Sequence, residues 1–167
     1  MNWNKEAKLS YETAIKNGFK FDSIEKLKID IVGEFDEALA HGENWFQGSD
    51  HEESIMWLDP EFVCVDTYLG YLAETPEMEL IDVILRTASV AYKVNLNLSP
   101  CRFSELAVNR IDECKTIEDL KFICESLLSL NHYFAVIDCV YQWMKLRGIN
   151  VDWFLRVKQN YNKVRVY

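Results

Sequence analysis

The sequence predicts an all-α protein, a helical bundle, from three observations. Turn-formers are scarce, with six glycines and three prolines in 167 residues, so the elements must be long. Apolar residues recur at three- and four-residue spacing over most of the chain, the period of a helix with one buried face. Apolar and polar residues alternate strictly only over short runs, so no strand is predicted. A chain of this length closes one hydrophobic core, which gives one all-α domain over residues 1–167.

Residues 5–19 carry Ala7, Leu9, Ala14, Ile15 and Phe19 among Lys and Glu, a weakly amphipathic helix that stops at Asn17-Gly18. Asp22-Ser-Ile-Glu25 offers a start signal resembling a capping box. Leu27, Ile31, Phe35, Ala38 and Leu39 then form one stripe of a helix from about 24 to 41. Residues 42–58 hold two glycines, two tryptophans and no sustained period, and read as a loop with its own apolar anchors. Asp59-Pro60 is a cap followed by proline at the first helical position, predicting a short helix to about 73 through Phe62, Val63, Val65, Leu69 and Leu72. Thr75-Pro76-Glu77 repeats the signal and opens a helix from 76 to about 93. Pro100 ends the break that follows, and 102–129 reads as one or two helices with Thr116-Ile-Glu-Asp119 as the cap between them. A helix over 131–147 closes at Gly148, and a last one runs from Asn150 or Asp152 to about 163.

Lys and Arg number 18 against 27 Asp and Glu, a formal charge of −9. That sign repels nucleic-acid backbones and anionic membranes, so neither is expected as a partner. No run approaches the ~18 uninterrupted apolar residues of a membrane span, and the start lacks the apolar stretch of a secretory signal, so a cytoplasmic location is expected. The five cysteines, Cys64, Cys101, Cys114, Cys124 and Cys139, are odd in number and form no Cys-x-x-Cys. They are expected as buried or half-buried thiols in a reducing compartment.

Phosphate-binding glycine loops, the zinc-protease His-Glu-x-x-His and the hydrolase Gly-x-Ser-x-Gly are all absent, and none of the three histidines lies three residues after a Glu. Carboxylates remain. Glu34 and Glu37 are spaced i, i+3 on the helix over 24–41, with Asp30 and His41 extending the face. Glu79 and Asp82 have the same spacing on the helix over 76–93, where Glu79, Asp82, Arg86, Ser89 and Lys93 share a sector ~80° wide on an otherwise apolar cylinder. Such a strip is either a solvated edge, with Arg86 pairing Asp82 at i+4, or a cation site facing the other acidic helix. Four carboxylates from two antiparallel helices would form an all-oxygen site suited to Mg²⁺ or Mn²⁺ rather than Zn²⁺.

These residues resemble the MazG-like all-α nucleotide pyrophosphohydrolases of the dUTPase/MazG superfamily, whose hallmark is Glu-x-x-Glu on one helix and Glu-x-x-Asp on a later one. Glu34-Phe-Asp-Glu37, followed by Ala-Leu-Ala, is similar to the first half; Glu79-Leu-Ile-Asp82-Val-Ile-Leu-Arg86 is similar to the second. Gly148-Ile-Asn-Val, then Lys158-Gln-Asn-Tyr161-Asn162-Lys-Val-Arg165, is similar to the family tail. The resemblance implies that Glu34, Glu37, Glu79 and Asp82 hold Mg²⁺ or Mn²⁺. It implies catalysis through Glu34 and Glu37, with Glu37 as base, and substrate binding by Lys158, Asn162 and Arg165, with Lys158 on a phosphate. The chain departs from the family in two long insertions, about 42–75 and 99–130, and in Gly33 where the family commonly has Ser. Trp45, Phe46, Trp57 and Tyr68 in the first insertion either stack on a base or anchor the loop. His41 and His51 read as surface residues.

The function implied is Mg²⁺-dependent hydrolysis of a nucleoside triphosphate, ribo or deoxy, to the monophosphate and pyrophosphate. The partner is a small-molecule nucleotide, and the assembly a homo-oligomer, dimer or tetramer. The alternative is a catalytically silent helical bundle that binds a nucleotide or a protein. Affinity for a divalent ion separates the two.

Overall fold

The computed structural model describes residues 1–165. Its helices are α1 (Trp3–Lys16), α2 (Ile24–Ala40), α3 (Glu52–Met56), α4 (Val65–Thr67), α5 (Pro76–Lys93), α6 (Arg102–Val108), α7 (Ile117–Ser129), α8 (Tyr133–Leu146) and α9 (Val151–Val164), with no strand among the described residues. Short 3₁₀ turns cover Pro60–Phe62 and Ile111–Glu113, and a π turn, Tyr68–Leu72, continues α4.

Side chains at the helix starts account for most boundaries. Ser23 accepts from the Lys26 N–H, Thr75 from that of Met78 with Pro76 next in line, and Asn150 from that of Trp153. Thr116 and Asp119 cap α7 reciprocally, which divides 102–129 into two helices. The first helix differs from its prediction: Asn2 caps the Lys5 N–H, so α1 begins two residues earlier and ends at Lys16. Phe19 therefore leaves the helix and turns back on Phe21, ring centroids 4.8 Å apart. The helix predicted to 73 is also broken. After the 3₁₀ turn, Val63 and Cys64 are extended, and Phe62 and Leu69 lie exposed, so this stretch has no continuous face to bury. Residues 42–58 are a loop except for α3.

Helix α5 is the centre of the bundle. Fourteen of its 18 residues are buried, and it packs against α1, α2, α8 and α9. Around it lie Ile31 and Phe35 of α2, Val136 and Trp143 of α8 and Phe154 of α9, with Leu120 and Cys124 of α7 on the helix that packs against α2 and α8, all essentially without solvent contact. Burying each of these large side chains contributes ~1.5–3 kcal/mol, which is why the apolar stripes rather than helix propensity fix the arrangement. The long loop is tied to this core by one carboxylate. Glu77, fully buried in the first turn of α5, accepts the N–H groups of Phe46 at 3.1 Å and Gln47 at 2.8 Å. Burial pushes its pKa up, and those hydrogen bonds oppose the shift.

The cysteine expectation holds for Cys114, Cys124 and Cys139, which are buried free thiols. It fails for Cys64 and Cys101, which are exposed because they occupy extended positions just before surface helices. Among the described residues, no helix is long and apolar enough to cross a membrane.

Candidate metal centre

Glu34 lies in the middle of α2, and Glu79 and Asp82 lie one turn apart in the first half of α5. The two helices run antiparallel, since Glu34 pairs with Arg86 while His41, further along α2, approaches Glu79. Their contact brings one oxygen of each of Glu34, Glu79 and Asp82 within 4.8 Å of the others. Glu34 and Glu79 are buried and Asp82 is half-buried.

Three carboxylates so close cannot ionise independently. Burial first, then the charge of Asp82, pushes the pKa of Glu34 up to about 7, against the pull of Arg86. Burial, followed by the charges of Asp82 and Glu34, pushes Glu79 up to about 8. Two cations offset part of this. The Arg86 Nε is in contact with Glu34 Oε1, and Lys158 Nζ sits 2.8 Å from Asp82 Oδ2 while donating to the Tyr68 hydroxyl at 2.8 Å. Burial alone would depress Lys158, yet the nearby Asp82 and Tyr68 outweigh it and hold its pKa above the ordinary value. Tyr68, pushed up to about 12 chiefly by burial, stacks on Tyr161 at 4.1 Å between ring centroids. The Lys158 ammonium lies 5.4 Å and 5.6 Å from the centroids of these rings.

The predicted residues are therefore placed unevenly. Three of the four carboxylates converge; Glu37, one turn beyond Glu34, is exposed and stands outside the trio, although its charge raises both Glu34 and Glu79. Arg86 crosses to Glu34, and the cation 2.8 Å from Asp82 is Lys158, so the pairing of Arg86 with Asp82 at i+4 is replaced by ties to two neighbouring helices. Lys158 is buried because α9 turns the face bearing Phe154, Leu155 and Val157 inward.

Beside the trio, a pocket between α1, α2, α5 and α9 holds about 730 Å³ counting the open solvent at its mouth. Leu9, Phe19, Phe21 and Leu85 give it apolar walls, and Asp82 and Arg86 join it to the carboxylates. Asn162 and Arg165 line it from α9 and its end. The Asn162 side-chain oxygen is buried without a hydrogen-bond partner, while its backbone carbonyl accepts from the Asn17 side chain. A buried acceptor left unpaired costs ~1–3 kcal/mol, so this one is poised for a donor that the pocket would admit.

The insertion aromatics mostly anchor the loop. Trp45 lies 6.4 Å from Trp143, Phe46 packs on Trp153 and Phe154, and Tyr68 rests on Tyr161; Trp57 is 75% exposed. His51 is exposed against Tyr71, and His41, half-buried, is 3.9 Å from Glu79. The tie of Tyr68 to Lys158 and the Phe19–Phe21 wall go beyond what the sequence predicts. Tyr68 reaches Lys158 from a π turn that no periodicity announces, and the sequence places Phe19 within the span of the first helix. Arg86 did carry a signal, its place on the acidic strip of α5.

An all-oxygen, anionic donor set of this kind fits a hard divalent ion such as Mg²⁺ or Mn²⁺, which would replace the protons that burial retains on Glu34 and Glu79. No family model, no curated protein and no solved structure matches the chain.

Proposed function

We propose that this protein is a Mg²⁺- or Mn²⁺-dependent nucleoside triphosphate pyrophosphohydrolase that releases the nucleoside monophosphate and pyrophosphate. One observation carries the reading: Glu34 from α2 and Glu79 and Asp82 from α5 bring their oxygens within 4.8 Å in a half-enclosed site that opens on a pocket. The sequence resemblance to MazG-like proteins, with α2, α5, α8 and α9 as the core, adds the reaction class.

In this reading Glu34, Glu79 and Asp82 hold the ion, with Glu37 at the rim. A divalent ion held there would supply charge to neutralise phosphate oxygens and to acidify an attacking water. Glu37 takes the proton as that water attacks the α-phosphorus, and the bond from the α-phosphorus to the bridging oxygen breaks, so the electron pair leaves with pyrophosphate. Lys158 places its charge toward a phosphate from beside Asp82. The apolar walls of the pocket receive the nucleoside, Asn162 Oδ1 accepts a hydrogen bond from it, and Arg165 closes the same side. The assembly is a dimer or tetramer; exposed Ile29 on α2 and Phe122 on α7, two helices that pack together, offer apolar surface for it. Light scattering checks that point.

A second reading is a silent helical module that binds a nucleotide or a protein. It draws on Lys158 and Arg86, which already pair with Asp82 and Glu34 as a purely structural network would. Pyrophosphate release from a panel of NTPs and dNTPs decides between them, with Mg²⁺, Mn²⁺ or EDTA, for the wild type, Glu34→Ala and Asp82→Ala. Metal-dependent turnover lost in both variants supports the enzyme. A folded wild type that turns over no nucleotide supports the module.

A further inference from the structure

Between Lys28 and Arg86 the chain has 15 acidic residues and no Lys or Arg. Arg86 is thus the first cation after the acidic segment, and it falls on the same strip of α5 as Glu79 and Asp82, one turn past Asp82. The two cations at the carboxylates are held differently. Lys158 is enclosed, its side chain 5% exposed and its ammonium beside the stacked rings of Tyr68 and Tyr161. Arg86 reaches Glu34 from the open side, its side chain 32% exposed, with its guanidinium carbon 5.9 Å from the centroid of Phe19 in the pocket wall.

Charge balance distinguishes their roles. Glu34, Glu79 and Asp82 ionised, with Lys158 in place, carry a net charge of −2, which one divalent ion cancels. With Arg86 also on Glu34 the net charge is −1, and an incoming ion meets a cation already seated on one of its ligands. A guanidinium turned away from Glu34 would remain in the pocket. There, its forked N–H donors match a phosphate.

We propose that Arg86 is a displaceable counter-cation: it occupies Glu34 in the metal-free protein, is driven off by the divalent ion, and then serves the pocket as a receptor for the polyphosphate anion. The inference rests on the proposed metal centre. Its consequence is coupling, because loading the ion creates an anion site that the metal-free protein withholds, and the anion in turn holds Arg86 away from Glu34.

Two measurements test it. The first is Mn²⁺ affinity, from the free-ion paramagnetic resonance signal, for the wild type, Arg86→Gln and Arg86→Lys. Arg86→Gln should bind Mn²⁺ about tenfold more tightly, within the usual span of coupling between linked sites, and Arg86→Lys should stay near the wild type. The second needs no loss of the side chain: the Arg86 Nε–H nuclear resonance in the wild type, titrated with Mg²⁺, should shift and exchange faster with water as Glu34 is taken. The proposal is overturned if Arg86→Gln binds Mn²⁺ no more tightly than the wild type, which would make Arg86 a positioning residue for Glu34. An Nε–H resonance that stays unmoved at saturating Mg²⁺ overturns it equally. Absence of Mn²⁺ binding in both wild type and Arg86→Gln overturns the metal centre as well, so the two failures are told apart.

Discussion

Replacing Glu79 with glutamine should stabilise the metal-free protein and weaken its response to metal. Glu79 is buried and its pKa is raised to about 8 from 4.5, by burial and by the charges of Asp82 and Glu34. Between those values the folded protein holds a proton that the unfolded chain has released, so unfolding releases protons and stability falls as pH rises. The slope for one such group is ~1.4 kcal/mol per pH unit, and its ceiling by pH 8.5 is ~4–5 kcal/mol. Glutamine does not ionise and keeps nearly the same shape, so Glu79→Gln escapes that cost. Urea unfolding in EDTA should show the variant within ~1 kcal/mol of the wild type at pH 5 and several kcal/mol more stable at pH 8.5. Addition of Mg²⁺ at a hundred times its dissociation constant should then stabilise the wild type by ~2.7 kcal/mol and the variant far less. A variant less stable than the wild type at pH 8.5 would refute the reasoning, since Glu79 would then be supporting the fold rather than burdening it.

Glu77→Ala should cost ~1–3 kcal/mol, because it leaves the buried Phe46 N–H and the half-buried Gln47 N–H of the 42–58 loop without their acceptor, and limited proteolysis should cut that loop faster. Phe35→Ala, at a position with no solvent contact, should cost ~3–5 kcal/mol in urea unfolding without altering which metal ions bind. Mn²⁺ affinity should weaken as pH falls from 8.5 to 6, because Glu34 with its pKa near 7 and Glu79 with its pKa near 8 then hold protons that the ion must displace; calorimetry at several pH values measures it.

The two helices that build the site were legible in the sequence to within a residue. The stripe from Leu27 to Leu39 and the Thr75-Pro76 start each combine local capping with a face that tertiary packing buries, so local and global preferences agree. The spacing of Glu34, Glu79 and Asp82 was legible for the same reason, because helical geometry fixes which side chains share a face. Glu37 shows the limit: i, i+3 spacing puts it near Glu34 along α2, but the crossing of α5 decides which of the two is covered. The partners of the carboxylates were hidden more deeply. Lys158 comes from the last helix and Tyr68 from a π turn in the broken segment, and only the packed bundle brings them to Asp82. The segment 59–73 reads as one helix because Asp59-Pro60 is a sound start signal, whereas in the fold Val63 and Cys64 turn extended after the 3₁₀ turn that packs on α9.

An anomalous difference map from crystals grown with Mn²⁺ tests the metal centre most directly. The account predicts a peak bounded by Glu34, Glu79 and Asp82, ~2.1 Å from an oxygen of each, with the Arg86 guanidinium moved off Glu34 into the pocket. A Mn²⁺-saturated crystal with no peak among these three carboxylates, and Arg86 still seated on Glu34, would contradict it.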